Sequence, residues 1–324
     1  MTVAPPFPAQ PALKPSVLRA ALMHPAGTFA KVEVVGSTGS TNTVLAASAA
    51  APSQCWPDLS VLIADAQDAG QGRMGRSWEV PAGAAMISSV FLRPSEQAHH
   101  AGANPTSTAT AFAATGYGWL SVLAGMALCH AVRSCTGVPA ELKWPNDVVV
   151  RGRKLAGILA QVVAAPSVAG GSNIAGSGSA TVGPGVVVGV GVNVSARADE
   201  LPGDRATSLL LEGAVELDRN VLLPAYLLKF ADLYREFVAV GGDATRPLDG
   251  GSSVLELAQL HMGTLGQEVR AELPGGAMLY GTATALADDG ALVLRDATGA
   301  RHTVNAGDVI HLRRTGSGGT VNYA

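Results

Sequence analysis

Lys-Trp-Pro-Asn-Asp at residues 143–147, followed by Lys-Leu-Ala-Gly-Ile-Leu at residues 154–159, organises the middle of this 324-residue chain. Pro145 ends a short apolar run, because its ring fixes φ and removes a backbone donor. Residues 148–150, all valine, then predict a strand, and Lys154 to Val163 predicts the strand that returns beside it. The two motifs therefore predict a β-hairpin.

This hairpin would bring together four polar side chains of the two motifs. We expect Lys143 and Lys154 near opposite ends of one β-ladder, with Asn146 and Asp147 in the bend. A solvated amphipathic hairpin is the alternative interpretation, since short motifs alone are weak indicators of function. A second segment upstream, rich in glycine and arginine, favours a binding site.

Length and composition limit the class of protein. The chain is long enough for one large and one small domain. A net charge of −3 and a pI near 6.2 give no indication of a surface for nucleic acid, so we expect no nucleic-acid partner. The cysteines, Cys55, Cys129 and Cys135, are few and lack metal-ligand spacing, which favours reduced thiols. Without a secretory leader or a membrane-spanning apolar run, we expect a cytoplasmic protein with no membrane partner.

Patterns along the chain predict three regions. Residues 1–30 predict a loose arm and a short helix capped by Ser16. Residues 31–262 predict a large domain of alternating strands and helices, and residues 263–324 predict a small β-barrel of about five short strands joined by tight turns. Strands are predicted at 31–35, 60–64, 85–92 and 186–194, a loop at 65–79, helices at 16–23, 43–50, 117–135, 220–240 and 254–261, and low-complexity segments at 95–115 and 165–185.

The segment Gly70-Gln71-Gly72-Arg73-Met74-Gly75-Arg76-Ser77-Trp78 has the composition of a ligand-binding loop. Its glycines let backbone N–H groups approach a ligand closely. Arg73 and Arg76 offer permanently charged donors for phosphate or carboxylate, and Trp78 offers a flat apolar surface for a ring. The segment is neither a P-loop nor a dinucleotide-binding fingerprint. A surface turn with solvated arginines is the alternative.

Several other polar residues allow both a structural and a functional interpretation. Ser40, Thr41 and Asn42 precede an alanine-rich helix, where they could cap the helix or bind a small polar head such as a ureido carbonyl. Gln67 at the end of a buried strand, and Asn193 at the end of a Val/Gly-rich strand, could bind a ligand or satisfy a loop. No His, Cys or carboxylate cluster has zinc-site spacing, and no nucleophile–base pair is recognisable.

Together these segments predict a site for a negatively charged ligand. Asp147 would hold a divalent cation or one of the lysines. Such a set suits nucleotidyl transfer, in which catalysis relies on positioning and on stabilisation of phosphate charge. The predicted cations are Arg73, Arg76, Lys143 and Lys154.

The order and spacing of these motifs resemble those of the bacterial biotin–protein ligases, over roughly residues 31–240. The resemblance implies a class II aminoacyl-tRNA synthetase-like α/β catalytic domain with a mixed, mostly antiparallel sheet at 31–262, and a C-terminal SH3-like β-barrel. It also implies the form of the family without an N-terminal DNA-binding domain, hence no operator binding. The segments that carry the resemblance are Ser-Thr-Asn at 40–42, Gln67 to Trp78, residues 143–147, residues 154–159 and Gly-Val-Gly-Val-Asn-Val at 189–194.

The resemblance further implies a two-step reaction. The carboxylate of biotin attacks the α-phosphate of Mg-ATP to give biotinyl-5′-AMP and pyrophosphate, and a lysine of a biotin carboxyl carrier domain of an acyl-CoA carboxylase then displaces AMP. ATP, biotin and Mg²⁺ are thus the expected ligands, and a homodimer is possible. The alternatives are a lipoyl or octanoyl ligase of the same fold and a non-catalytic protein that binds biotin or a nucleotide.

The resemblance also assigns expected roles to single residues. The catalytic set is Lys154, Arg73, Arg76 and Lys143, with Asp147 on Mg²⁺. The nucleotide-binding set is Arg73, Arg76, Trp78, Asn146, Lys154 and Asn193. The biotin-binding set is Ser40, Thr41, Asn42, Gln67, Gln71, Gly72, Arg73, Lys154 and Gly157.

Two positions depart from the family pattern. Gln71 stands where the family usually has arginine, and Gln161 stands where it often has glutamate. We expect residue 71 to contribute to the loop through its backbone and not through its side chain, since Arg73 and Arg76 remain to bind phosphate. The replacement at 161 has no consequence that the sequence reveals.

Overall fold

The fold is described from a computed structural model over residues 10–51, 55–95, 112–164, 183–273, 276–305, 308–314 and 321–323. The helices are α1 (Pro15–Leu22), α2 (Thr41–Ala50), α3 (Gly116–Thr136), α4 (Arg219–Ala239) and α5 (Val254–His261). The first strands are β1 (Lys31–Thr38), β2 (Ser60–Gln67), β3 (Gly70–Gln71), β4 (Ser77–Trp78), β5 (Ala85–Leu92), β6 (Glu141–Lys143), β7 (Asp147–Val150), β8 (Arg153–Val163) and β9 (Gly185–Asn193). The remaining strands are β10 (Glu268–Glu272), β11 (Met278–Leu286), β12 (Leu292–Arg295), β13 (Arg301–Val304), β14 (Asp308–Arg314) and β15 (Val321–Tyr323). The predicted low-complexity segments lie mostly outside the described residues.

Seven strands form the main sheet, in the order β1-β2-β5-β9-β8-β7-β6. β1 and β2 are parallel, and the neighbours that follow are antiparallel. The Val/Gly-rich strand β9 lies in the middle of the sheet, where a run without charged residues is expected because both faces are covered. The predicted mixed, mostly antiparallel sheet is confirmed.

Helices cover the two faces of this sheet unequally. α3 and α4 pack together and bury one face, with Leu123, Leu227 and Phe230 fully buried. On the opposite face α2 buries Leu45 against Leu62 and other side chains of the alternate strand positions. Because α2 has only ten residues, part of this face is left for other use.

The C-terminal domain is an antiparallel sheet of six strands, in the order β13-β12-β11-β10-β14-β15. Its β11–β12 turn is fixed to the larger domain by two indole N–H groups. Trp119 Nε1 donates to Asp288 O at 2.8 Å, and Trp144 Nε1 donates to Gly290 O at 3.0 Å. The backbone N–H of Trp144 also donates to Thr264 Oγ1 at 3.0 Å. The tryptophan of the 143–147 motif thus holds the two domains together. The predicted division at residue 262 stays a prediction.

The amino-terminal part is more ordered than predicted over residues 10–14. Lys14 N donates to Asn220 Oδ1 at 2.8 Å, and the guanidinium of Arg219 donates to Pro11 O at 3.2 Å. Arg219 is 1% exposed and pairs with Asp65 at 2.6 Å, so the arm is fastened to a buried cation. The predicted loose arm is wrong for this segment, and residues 1–9 lie outside the described part of the chain.

Some predicted element ends are also wrong. α1 begins at Pro15 with Lys14 as its N-cap, not at Ser16, because proline is favoured at the first helical position. α2 begins at Thr41 with Ser40 as its N-cap. The segment predicted as a loop at 65–79 contains the short strands β3 and β4, joined by a 3₁₀ turn at Arg73–Gly75. None of the helices in the described ranges is long and apolar enough to cross a lipid bilayer.

Burial separates the reactivities of two cysteines. Cys129 on α3 is 1% exposed, and desolvation raises the pKa of its thiol to about 12, whereas Cys55 is exposed. Because the thiolate is the nucleophile, iodoacetamide at about pH 8 should alkylate Cys55 and leave Cys129 intact. Peptide mass spectrometry measures both sites, with denatured protein as the control in which Cys129 reacts. Equal labelling of the two residues in the folded protein would contradict this burial.

Candidate active site

A cavity of about 450 Å³ lies on the α2 side of the main sheet. Its volume falls within the range of about 300–1,000 Å³ that is usual for small-molecule sites. Segments that are far apart in the chain meet at its wall, including one strand of the C-terminal domain. The predicted site residues that line it are Ser40, Thr41, Asn42, Gln67, Gln71, Gly72, Arg73, Arg76, Trp78, Lys143, Asn146, Asp147, Lys154 and Gly157.

One end of the cavity is formed by uncharged polar groups at the N-terminus of α2. Gln67 Oε1 accepts hydrogen bonds from Thr41 N at 2.9 Å and from Thr41 Oγ1 at 3.0 Å. Ser40 caps the helix by accepting from Thr43 N. A neutral ligand with donors and acceptors fits this end, because no charged side chain is needed to satisfy it.

Asn42 and Ser89 hold this end in place. Asn42 Nδ2 donates to Leu159 O at 2.9 Å, which ties α2 to β8. Ser89 Oγ lies 2.6 Å from Asn42 Oδ1 and 2.8 Å from Thr41 Oγ1, and the side chain is fully buried. Sequence reasoning missed Ser89, although strand alternation places it on the α2 side with Phe91.

Cations from two distant segments meet at the other end. Arg73 Nη1 donates to Asn146 Oδ1 at 3.1 Å, and Asn146 Nδ2 donates to Ile158 O at 2.6 Å. Lys154 Nζ forms an ion pair with Asp147 Oδ1 at 2.7 Å. The predicted convergence of the glycine-arginine segment with the two lysines on one cavity is confirmed.

A β-bulge turns Lys154 toward the cavity. Between β7 and β8 the register shifts so that Leu155 has no partner residue. Leu155, Ala156 and Ile158 all belong to the core on the helix side, whereas Lys154 and Gly157 face the cavity. With strict alternation Lys154 would share the face of Ala156 and Ile158, so the extra residue puts its side chain on the face that bears the cavity.

The predicted hairpin is confirmed as β7 and β8, but the 143–147 motif adds a third strand to it. Lys143 lies on its own strand, β6, opposite Asp147 on β7, and Asp147 in turn lies opposite Gly157 on β8. The two lysines therefore lie on strands that flank β7, not at opposite ends of one ladder. Both line the cavity.

The indole of Trp78 lies flat on the sheet because two residues beneath it are glycines. A Cβ at position 191 would lie 2.7 Å from Trp78 Cε2, and a Cβ at position 157 would lie 3.3 Å from Cζ3. Lys154 Nζ lies 5.8 Å from the ring centroid. The predicted contact of Trp78 with adenine stays a prediction, and the ring lines the cavity beside Lys154.

Asn193 is the predicted site residue that is not among the cavity-lining residues in the described part of the chain. It is 3% exposed, and its Nδ2 donates to Thr207 O at 2.9 Å. This placement gives Asn193 a structural function, which is to hold the segment after β9 against the sheet. Its predicted contact with a nucleotide has no support in this geometry.

Two charged residues at the cavity were missed by sequence reasoning. Arg205 lines the wall, and its carbonyl accepts from Lys154 N at 2.7 Å. Glu272 reaches the cavity from β10 of the C-terminal domain. No periodic pattern marks the segment around Arg205, and the position of Glu272 depends on domain packing, so neither carried a sequence signal.

Carboxylates are sparse in and around this site. In the described ranges no group of three or more His, Cys, Asp or Glu side chains could hold a metal ion. Asp147 and Glu272 are the carboxylates of the cavity wall. A divalent cation here would therefore need most of its ligands from a bound phosphate and water.

Comparisons with protein families give two matches. Residues 34–176 match the Biotin/lipoate A/B protein ligase family, and residues 264–312 match the Biotin protein ligase C terminal domain. The chain is 37% identical over 310 residues to the Biotin–[acetyl-CoA-carboxylase] ligase of Mycobacterium tuberculosis, covering 94% of this chain and 97% of that protein. It is 27% identical over 277 residues to the Bifunctional ligase/repressor BirA of Bacillus spizizenii, covering 85% of this chain and 71% of that protein.

A solved structure shares the fold. The biotin protein ligase from Aquifex aeolicus in complex with biotin and ATP superposes with a TM-score of 0.62 at 21% sequence identity. The superposition covers 91% of this chain and 100% of that one. At this identity the likeness concerns the fold.

Because α2 approaches β9 closely, one methyl group added at position 189 should lower the stability of the protein. An alanine at position 189 would overlap Asn42 Oδ1, so Gly189→Ala should lower the free energy of unfolding by about 1–3 kcal/mol, the usual cost of overpacking. Urea unfolding followed by circular dichroism measures the change. Gly36→Ala is the matched control, because no atom lies within 4 Å of the added carbon. Equal stability of the two variants would refute the packing of Asn42 on β9.

Proposed function

The chain belongs to the biotin protein ligase family, and from that premise we propose that it joins biotin to a lysine of a carrier protein through biotinyl-5′-AMP. One observation carries the proposal: uncharged polar groups at one end of a cavity adjoin cations at the other. Biotin has a neutral ureido head and an anionic carboxylate tail. ATP supplies the phosphates that the cations would bind.

In the first step the cavity holds the two substrates end to end. The ureido head lies at Ser40, Thr41 and Gln67, whose donors and acceptors are uncharged. A carboxylate oxygen of biotin forms a bond to the α-phosphorus, the bond from that phosphorus to the bridging oxygen breaks, and pyrophosphate leaves. Lys154 and Arg73 stabilise the negative charge that develops on the phosphate oxygens, which is the main catalytic contribution in phosphoryl chemistry.

Magnesium would arrive with ATP. Mg²⁺ in such sites takes one or two protein carboxylates and completes its shell with phosphate oxygens and waters. Asp147 fits as one of those carboxylates. The neighbouring residue Asn146 accepts a hydrogen bond from Arg73. The ion would neutralise phosphate charge, and Lys154 would move from Asp147 to the reacting carboxylate.

In the second step a protein lysine completes the reaction. Its amine attacks the carbonyl carbon of biotinyl-5′-AMP, an amide bond forms, the bond from carbon to the phosphate oxygen breaks, and AMP and a proton are released. The acceptor we propose is the biotin carboxyl carrier domain of an acyl-CoA carboxylase, in the cytoplasm. Homodimer formation stays a prediction.

Biotinylation of a carrier domain tests this function. The purified protein with biotin and ATP should label the carrier domain on a streptavidin blot, and it should exchange pyrophosphate into ATP only when biotin is present. Lys154→Met should reduce this exchange by about 10²–10³-fold, the usual cost of losing one charge-stabilising group. Lys229→Met on α4, on the other side of the sheet, is the matched control and should keep full activity.

The same assay separates the rival functions. Exchange that depends on lipoate or octanoate instead of biotin would identify a lipoyl or octanoyl ligase. Binding of biotin without any exchange would identify a non-catalytic binding protein. Either result would overturn the proposal.

The departure at Gln71 gives a second test. Gln71 is exposed and pairs through its backbone with Ser77, so its side chain is not required for the loop geometry. Gln71→Arg should slow the release of biotinyl-5′-AMP by less than about fivefold, because an exposed charge contributes under about 1 kcal/mol. Stopped-flow dissociation measures this rate. A much larger slowing would mean that the side chain at position 71 binds phosphate.

A further inference from the structure

Glu212 is a buried carboxylate outside the cavity wall. Its side chain is 0% exposed, and three donors surround it. Arg151 Nη1 donates to it at 2.8 Å, Arg153 Nη2 at 2.6 Å and Thr207 Oγ1 at 2.7 Å. A buried charge is stable only when it is paired and hydrogen-bonded, so these three contacts hold one another in place.

The donors to Glu212 come from both sides of Lys154. Arg151 lies in the two-residue β7–β8 turn, and Arg153 is the first residue of β8, directly before Lys154. On the other side, Lys154 N donates to Arg205 O at 2.7 Å, and Thr207 N donates to Lys154 O at 2.9 Å. The backbone N–H and C=O of Lys154 are therefore both hydrogen-bonded to the 205–207 segment. Glu212 links this segment to the β7–β8 turn.

The backbone conformation of the β7–β8 turn requires stabilising contacts of this kind. Arg151 has a φ of 50°, in the left-handed region that disfavours non-glycine residues, and Gly152 has a φ of 78°. Two-residue hairpin turns with positive φ at both positions prefer asparagine or aspartate followed by glycine. Arginine at the first position is therefore unfavourable on its own, and its ion pair with Glu212 offsets this.

We propose that Glu212 is a positioning residue that fixes the direction of the Lys154 side chain. It keeps the turn, the bulge at Leu155 and the 205–207 segment in one arrangement, which points the ammonium into the cavity beside Asp147. This inference rests on the proposed function, in which Lys154 stabilises the charge of the reacting phosphate. Glu212 does not itself touch the cavity.

The test separates positioning of Lys154 from general stability. Glu212→Gln keeps the shape of the side chain and removes its charge. The kcat of biotin-dependent pyrophosphate exchange should fall at least about tenfold, since small misplacements of a reacting group are costly. The Kd for biotin alone should rise far less than kcat falls, because the ureido end at α2 is unaffected and only the carboxylate contact with Lys154 changes. Glu236→Gln on α4 is the matched control and should change neither quantity.

Two further measurements keep the proposal falsifiable. The double variant Glu212→Gln/Arg153→Met should lose no more kcat than Glu212→Gln, because both changes release the same turn. NMR of ¹³C-methylated lysines reports Lys154 directly, its signal being the one that Lys154→Arg removes. This signal should shift in Glu212→Gln and not in Glu236→Gln.

The outcomes distinguish the two proposals. If the wild-type protein shows no biotin-dependent exchange, the proposed function fails, and the lysine signal still tests positioning. If the wild type is active and Glu212→Gln keeps both its kcat and its Lys154 signal, the positioning role is overturned. If Glu212→Gln does not fold, Arg153→Met takes its place, since Arg151 still pairs with Glu212; unchanged kcat in that variant would also overturn the proposal.

Discussion

The extra residue at Leu155 is the constraint on which the cationic end of the cavity depends. Strand geometry places alternate residues on opposite faces of the sheet. One unpaired residue therefore moves the side chain of each residue before it to the opposite face. Through this shift Lys154 leaves the apolar side of the sheet and reaches Asp147. The buried Glu212 and its arginines lie next to this shift, so their ion pairs and the cavity-lining cation Lys154 are parts of one local arrangement.

The alternation of valine and glycine along β9 forms the floor of the cavity. Val186, Val188 and Val190 belong to the core under α3 and α4, while Gly189 and Gly191 lie on the other face. Missing side chains on that face admit the amide of Asn42 at one end and the indole of Trp78 at the other. The same strand thus contributes valines to the core and, through its glycines, makes room for Asn42 and Trp78.

The C-terminal domain takes part in the site through the 143–147 motif. Trp144 is 3% exposed and uses its indole N–H to bind the β11–β12 turn, while Lys143 and Asn146 on either side face the cavity. A single short segment therefore connects the cavity wall to the domain interface. Glu272 reaches the cavity wall because that interface fixes β10 nearby.

The sequence by itself determined the helices and the long strands, the antiparallel C-terminal domain and most of the cavity wall, because apolar periodicity and spaced glycine, arginine and lysine motifs are local signals. It also predicted a nucleotide contact for Asn193, whose buried amide donates to Thr207 O in the structure. Only the tertiary structure decided which face of the sheet carries the Lys154 side chain and that Lys143 lies on a third strand. It alone also decided that Arg205 and Glu272 line the cavity. These depend on strand register and domain packing, which are set by contacts between residues far apart in the chain and leave no periodic trace in it.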